Sequence, residues 1–279
     1  MTEDRYTGYK NLIITDDDLA QLYTSKTLTN SEFSFLENEY LGVYSEEGNL
    51  LDTFVYKEGK FLPVKRKDIS SRFGGVVKPL NPEQIFAFNM LKDEQIAIKL
   101  ITGCFGSGKT MALVAGALEA LDKNKFEKII WVRNNVQVKN TDPLGALPGS
   151  EFEKMLPYLG PMMDHVGGPE GIRMLIEKGQ LEVIPLAYLR GRSIKNSIII
   201  SSEAENLTKE HIQLLMGRVD KGTALWMDAD LKQRDREVFE KSAGIETMID
   251  RLKGESLFGY VHLVKSERSE AARLADKLN

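Results

Sequence analysis

The stretch Gly103-Cys104-Phe105-Gly106-Ser107-Gly108-Lys109-Thr110 constrains this chain more than any other. It fits the pattern GxxxxGK[ST], and its surroundings are the ones the pattern needs to be meaningful. The apolar run at residues 96–101 leads into it as a strand, and residues 111–117 leave it as a helix. A strand, a glycine-rich turn and a helix N-terminus in that order turn successive backbone N–H groups around a phosphate. The helix dipole adds to the attraction. Lys109 then reaches the β- and γ-phosphates and Thr110 ligates magnesium. Gly103, Cys104, Phe105, Gly106, Ser107, Gly108, Lys109 and Thr110 are therefore the primary binding candidates, with ATP and Mg2+ as the ligands.

The rest of the second half agrees with such a loop. Strand-like runs at residues 96–102, 128–132, 181–185, 197–201, 224–227 and 260–264 alternate with helical stretches, among them 110–121, 151–159, 209–216 and 268–277. Alternation of this kind gives right-handed βαβ units, a mostly parallel sheet and ligands at the carboxyl ends of its strands. The first 75 residues read differently. Asp16-Asp17-Asp18 starts a short helix at 19–23, and β-type runs at 40–44, 50–56 and 61–64 are separated by turns at 46–49 and 57–60. These predict a small antiparallel meander, and residues 65–75, with Gly74-Gly75, read as a linker. The expected organisation is a β-rich N-terminal connector domain at 1–75 and an α/β P-loop domain at 76–279.

Three further places carry chemistry. In Leu80-Asn81-Pro82-Glu83-Gln84, one helix before the P-loop, Gln84 has the donor and acceptor to read an adenine edge. Asn81 equally fits a plain helix N-cap. The apolar strand at 197–201 runs into Ser202-Glu203-Ala204-Glu205-Asn206, where a nucleotide site needs one carboxylate near the magnesium and another to orient the attacking water. Glu203 fits the second role, while the metal-side position holds the neutral Ser202. The strand at 224–227 ends in Asp228-Ala229-Asp230 with Gln233 beyond, and Asp230 and Gln233 are placed to sense a γ-phosphate.

Together these blocks resemble the PhoH family. The resemblance runs from about Pro79 to the C-terminus and takes in Asn81 with Gln84, the P-loop, Arg133, Leu147-Pro148-Gly149-Ser150, Leu189-Arg190-Gly191-Arg192-Ser193, Glu203, Asp230 with Gln233, and Ser242-Ala243-Gly244. It implies a RecA-like ATPase domain similar to the first half of superfamily-one helicases, assembled as a hexameric ring with nucleotide at subunit junctions. A neighbouring subunit would then supply an arginine to the transferring phosphoryl group, with Arg218 and Arg268 as candidates. It also implies RNA or single-stranded DNA as substrate, contacted through Arg133, Arg190 and Arg192, with Lys139 and Lys195 in nearby loops. Trp131 and Phe105 are candidates for base stacking, although Trp131 in a β-run reads more readily as core. Residues 8–66 are similar to the connector that joins a PIN nuclease to the ATPase in fused relatives. No acidic cluster of such a nuclease is seen, so no intrinsic ribonuclease activity is expected, and a nuclease would act in trans. Ser266-Glu267-Arg268-Ser269 resembles phage-encoded members. The family usually carries Asp-Glu-Ala-Gln where this chain has Ser202-Glu203-Ala204-Glu205, which removes a charge near the metal; Asp230 is the group expected to compensate.

Other classes are set aside by simple features. No apolar run is long enough to span a bilayer, and the acidic N-terminus is not a signal peptide. A single cysteine fits a reducing cytoplasm, that of a host cell if the chain is phage-encoded. The net charge of −4 argues against sequence-blind coating of nucleic acid. His165 and His211 are too isolated for a metal site. Two readings compete with the nucleic-acid ATPase: a hydrolysis-impaired assembly module, favoured by Ser202, and a small-molecule kinase, for which no lid is evident.

Overall fold

In the second half of the chain the strand residues are apolar without a break, as in Ser197-Ile198-Ile199-Ile200-Ser201, so both faces of the resulting sheet must be covered. The computed structural model describes residues 5–28, 33–133, 151–232 and 244–267. Along the chain these form β1 (Tyr9–Ile13), α1 (Asp16–Thr24), β2 (Tyr40–Tyr44), β3 (Leu50–Lys57), β4 (Lys60–Pro63), β5 (Ile69–Ser71) and β6 (Gly75–Val77). There follow α2 (Pro82–Lys92), β7 (Ile98–Gly103), α3 (Lys109–Asp122), β8 (Lys128–Arg133), α4 (Glu151–Met155), α5 (Gly160–Val166), α6 (Gly168–Glu177) and β9 (Leu181–Pro185). The last described elements are β10 (Ser197–Ser201), α7 (Lys209–Met216), β11 (Ala224–Ala229), α8 (Gly244–Leu252) and β12 (Phe258–Leu263).

Strands β7 to β12 make a parallel sheet in the order β12-β7-β11-β10-β8-β9. This is the α/β architecture with a parallel sheet that the sequence predicts. Alternation along each strand splits its side chains between two cores. Ile198, Ile200, Trp131 and Trp226 pack with α2, α3, α5 and α6 through Phe86, Leu113, Val114, Met162 and Ile172. Ile199, Leu225, Met227 and Ile130 pack with α7 and α8 through Ile212, Leu215, Ile245 and Met248. Trp131 is thus core, as is Met162. The crossing from β7 through α3 to β8 carries Ala112, Ala115, Ala117 and Gly116 on the helix, and Leu91 and Trp226 lie against Gly116. Small residues there let the helix sit close to the sheet.

The N-terminal part contains the expected meander β2-β3-β4 with one addition and one correction. The addition is β1, which pairs parallel to β2 after the crossover through α1. Thr15 caps α1 by accepting from the Asp18 amide, and Asp16, Asp17 and Asp18 complement the dipole in its first turn. The correction concerns residues 65–75. Instead of a free linker, β5 and β6 form a hairpin held on α3, with the Ser70 amide donating to Glu119 Oε1 at 3.0 Å and the Arg72 amide to Asp122 Oδ2 at 2.6 Å.

Edge strand β12 is covered by the segment that leads into β1. The His262 amide donates to the Thr7 carbonyl at 2.9 Å, and the Tyr40 amide donates to the Gly8 carbonyl at 2.9 Å. Asn38 Nδ2 donates to the Ser256 and Phe258 carbonyls at 2.9 and 3.0 Å. The Tyr40 ring stacks on Phe86 of α2 with centroids 5.0 Å apart. These contacts close an exposed sheet edge. Gly8 is the point of closest approach: its φ is +83°, and a Cβ there would lie 1.8 Å from the Tyr260 carbonyl oxygen. Overpacking costs about 1–3 kcal/mol and a left-handed L-residue adds about 1–2 kcal/mol. Gly8→Ala should therefore lower the melting temperature by several degrees in a thermal unfolding scan. A variant melting with wild-type behaviour would mean that this segment does not pair with β12.

Candidate nucleotide site

A glycine turn can hold phosphate only if its amides are free and its backbone is fixed. Gly106 and Gly108 take left-handed φ values of +78° and +87°, and Gly108 is the N-cap of α3. At Gly103 a Cβ would come within 2.6 Å of the Leu263 carbonyl oxygen and 2.7 Å of Ser107 Oγ, so no larger residue fits. Lys109 Nζ donates to the Cys104 carbonyl at 3.2 Å, folded over its own loop. Ser107 is fully buried, and its Oγ has no hydrogen-bond partner among the described residues. Phe105, by contrast, is 51% exposed at the loop's tip.

Two flanking segments brace the loop. Asn81 is the N-cap of α2 and accepts from the Gln84 amide at 2.9 Å. Gln84 is buried, its Oε1 accepting from the Leu80 amide at 2.8 Å and its Nε2 donating to the Ser107 carbonyl at 3.1 Å. The residue singled out for an adenine edge thus ties α2 to the P-loop. After β12, the Glu267 amide donates to the Gly106 carbonyl at 3.1 Å, and Asn81 Nδ2 donates to Glu267 Oε1 at 2.7 Å. Cys104 Sγ points its weak donor at the Val264 carbonyl, 3.5 Å away.

The sheet order decides which acids face the loop. β11 lies between β7, which delivers the P-loop, and β10, which delivers Ser202 and Glu203. Glu203 is exposed and sits in the left-handed region at φ 55°, a strained conformation for a residue with a side chain. The group that touches this turn is Asp228, near the end of β11 and only 1% exposed. Its Oδ1 accepts from Ser202 Oγ and from the Glu203 amide, both at 2.9 Å. Its Oδ2 has no hydrogen-bond partner among the described residues. Burial raises the Asp228 pKa. The Thr110 hydroxyl, the two donors from 202–203 and the Lys109 ammonium oppose that rise.

The sequence points to Asp230 as the group that compensates for Ser202. In the structure the Asp230 amide donates to Glu205 Oε2 at 2.9 Å, and Asp230 Oδ1 accepts from the Lys232 amide at 3.1 Å. The contact with Ser202 belongs to Asp228 instead. The sequence does carry a signal for it, an acid near the end of an otherwise apolar strand.

The arginines fall at different places. Arg133 ends β8 at the carboxyl pole of the sheet, and Arg190 is exposed after β9. Arg192 instead pairs with Glu182 at 2.8 Å. Arg218 Nη1 donates to the Arg192 carbonyl at 3.1 Å, and nearby Thr223 Oγ1 donates to the Ile194 carbonyl at 2.9 Å. Both contacts precede β10 and β11, so Arg192 and Arg218 lie at the amino pole, away from the P-loop of their own chain. Gln233, Arg268, Lys139, residues 147–150 and 242–243, and the helix expected at 268–277 lie outside the described residues, as does the Arg133 side chain. His211 is used in a capping box with Thr208, and no cluster of metal-ligating side chains occurs among the described residues.

A cavity of about 420 Å³ lies at the amino pole, lined by Lys92, Lys99, Glu119 and Trp226 among others. Lys99 donates to the Leu91 and Asp93 carbonyls at 2.8 and 2.7 Å, closing the C-terminus of α2. Burial brings its pKa down to about 7. Its donors are thus spent on the fold, and the chemistry stays at the opposite pole. Among the described residues no helix is long and apolar enough to cross a membrane.

The family model described as PhoH-like protein matches residues 76–276. Protein PhoH2 of Thermobispora bispora is 31% identical over 99% of this chain and 63% of its own length. Protein PhoH2 of Bacillus subtilis is 29% identical over 99% of this chain and 65% of its own length. The chain therefore spans a little under two thirds of these relatives. Among solved structures, the large terminase of a thermophilic bacteriophage aligns over 72% of this chain and 50% of its own, with 11% identity and a TM-score of 0.42.

Glu205 gives the site a pH signature. Burial, with Asp228 and Glu203 nearby, raises its pKa to about 8, against the hydrogen bond from Asp230. A carboxyl with a folded pKa above its unfolded value of about 4.3 favours the folded state fully only below that value. The contribution is lost as pH rises to about 8, at up to about 1.4 kcal/mol per pH unit. Glu205→Gln, a neutral isostere, removes that slope. Its melting temperature relative to wild type should climb steadily between pH 5 and 8; a constant difference would mean that Glu205 is ionised in the folded protein.

Proposed function

The chain belongs to the PhoH family, and from that premise we propose that it is a magnesium-dependent ATPase that couples hydrolysis to remodelling of, or movement along, RNA or single-stranded DNA, as a homo-oligomeric ring. The observation that carries this reading is the convergence of the P-loop and the exposed Glu203 at the carboxyl pole of one parallel sheet. A buried acid stands between them. In this reading the P-loop amides and Lys109 bind and orient the β- and γ-phosphates, and Thr110 with the 202 position and Asp228 fits a magnesium site. Magnesium, when bound, neutralises charge that builds on the transferring phosphoryl group. Glu203 takes a proton from the attacking water, and its turn is held in place by the bond from its amide to Asp228.

Further roles follow on the same footing. In this reading Asn81 and Gln84, which brace the P-loop, would also meet the base, and Asp230 and Gln233 would sense the γ-phosphate. Arg133 and Arg190 are the better placed of the nucleic-acid candidates, because the Arg192 guanidinium is already paired with Glu182. Arg218, remote from its own P-loop, or Arg268 would act on the nucleotide of a neighbouring subunit.

Ser202 favours a second reading, in which ATP holds subunits together and turnover stays near background. One experiment separates the two: ATP hydrolysis with magnesium, with and without single-stranded RNA or DNA, alongside sedimentation. For the motor reading, Glu203→Gln should keep ATP binding and lose about 10²–10⁴-fold in turnover, the usual size of a general-base contribution. Lys109→Ala should lose binding and turnover together. If nucleic acid fails to stimulate turnover and neither variant changes it, the motor reading is wrong. ATP-driven assembly with background turnover would establish the scaffold.

A further inference from the structure

A carboxylate taken out of water is tolerated when its oxygens are matched by donors or by a cation. Asp228 meets this condition only on one side. Oδ1 has two donors, Ser202 Oγ and the Glu203 amide, each at 2.9 Å, while Oδ2 makes no hydrogen bond of normal geometry among the described residues, although the Thr110 hydroxyl lies near enough to Asp228 to favour its charged form. β11 is hydrogen-bonded to both β7 and β10, with Asp228 opposite Ile101, two residues before the P-loop begins. The unmatched oxygen is therefore in the strand that separates the magnesium ligand Thr110 from the acid-ended turn. Ser202 stands where an aspartate is usual, and its hydroxyl donates to Asp228.

We propose that Asp228 is the metal-side carboxylate of this site, moved from the end of β10 to the adjacent strand β11, with Ser202 as its positioning residue. This inference rests on the ATP-binding reading above. Magnesium keeps most of its water when bound to nucleotide, and a protein holds it through one or two carboxylates plus phosphate oxygens. One oxygen of Asp228 is pinned by the 202–203 turn, and the other remains to accept from the water shell or to meet the ion. The charge lost at position 202 is thus restored by a residue one strand over. That removes the reason for treating Ser202 as a mark of an inactive site.

The test reads metal binding directly. Nucleotide affinity is measured with a fluorescent ATP analogue across a magnesium titration, and Mn2+ binding to the protein–nucleotide complex is followed by electron paramagnetic resonance. Asp228→Asn is isosteric and keeps an acceptor for Ser202 and Glu203. It should bind nucleotide in EDTA as wild type does, and lose about 10–100-fold in apparent affinity for Mg2+ and Mn2+, the usual effect of disturbing the shell around a metal. Ser202→Asp combined with Asp228→Asn should recover most of that loss, because it returns the charge to the other strand. If Asp228→Asn is too unstable to assay, the double variant alone decides: wild-type Mn2+ affinity supports the exchange, and a large loss overturns it. Unchanged metal affinity in Asp228→Asn overturns the proposal while leaving ATP binding intact. Wild-type protein that binds no nucleotide at any magnesium concentration overturns the ATP reading and this inference with it.

Discussion

A parallel sheet covered on both faces leaves polar chemistry almost nowhere to go except the ends of its strands. In this chain Ile198, Ile200, Leu100, Leu225 and Met227 are fully buried, and helices lie against each face. Backbone amides are satisfied inside the sheet and become available only where a strand stops. The P-loop is built at such a stop, at the end of β7, and Glu203 follows another at the end of β10. Much of the structure can be read as support for these two endings. Gln84 and Glu267 brace the P-loop from outside, and Asp228 holds the Glu203 turn from within.

What is legible in the sequence follows the same division. Apolar runs bounded by glycine or acid announce buried parallel strands, so β9 and β10 fall where the sequence places them, and α7 spans the predicted 209–216. The P-loop is legible because its chemistry needs contiguous residues. The pairing of β1 with β2 is not legible, since Tyr9-Lys10-Asn11-Leu12-Ile13 alternates poorly and its partner lies across a helix. The hairpin at 69–77 reads as a linker because its strands are short and its turn is glycine-rich. Its order comes from Glu119 and Asp122 on a distant helix, which local pattern cannot reveal. The arginines are hardest of all. A loop residue's pole depends on which way the chain is travelling, and the loop before β10 returns Arg192 to the amino side.

The N-terminal sheet is tied to the α/β core by backbone rather than by surface charge alone. Thr7 pairs with His262 on the edge strand, and Asn38 spans to the turn before β12. The same strand continues into Val264 and Glu267, which rest against Cys104 and Gly106 of the P-loop. The N-terminal sheet and the P-loop thus share one strand as a common support.

Asp228 binds two requirements into one residue. Glu203 occupies a left-handed conformation that costs energy and persists only when surrounding contacts over-determine it. Its amide is fixed by Asp228 Oδ1, which also receives Ser202. An aspartate at position 202 would set a second negative charge beside a carboxylate that already lies in the dry interior. Two such charges within hydrogen-bond distance cannot both remain ionised without a cation. Serine at 202 is therefore the consistent partner of aspartate at 228: it donates where an acid would repel. The orientation of Glu203 and the negative charge near Thr110 are set by the same side chain.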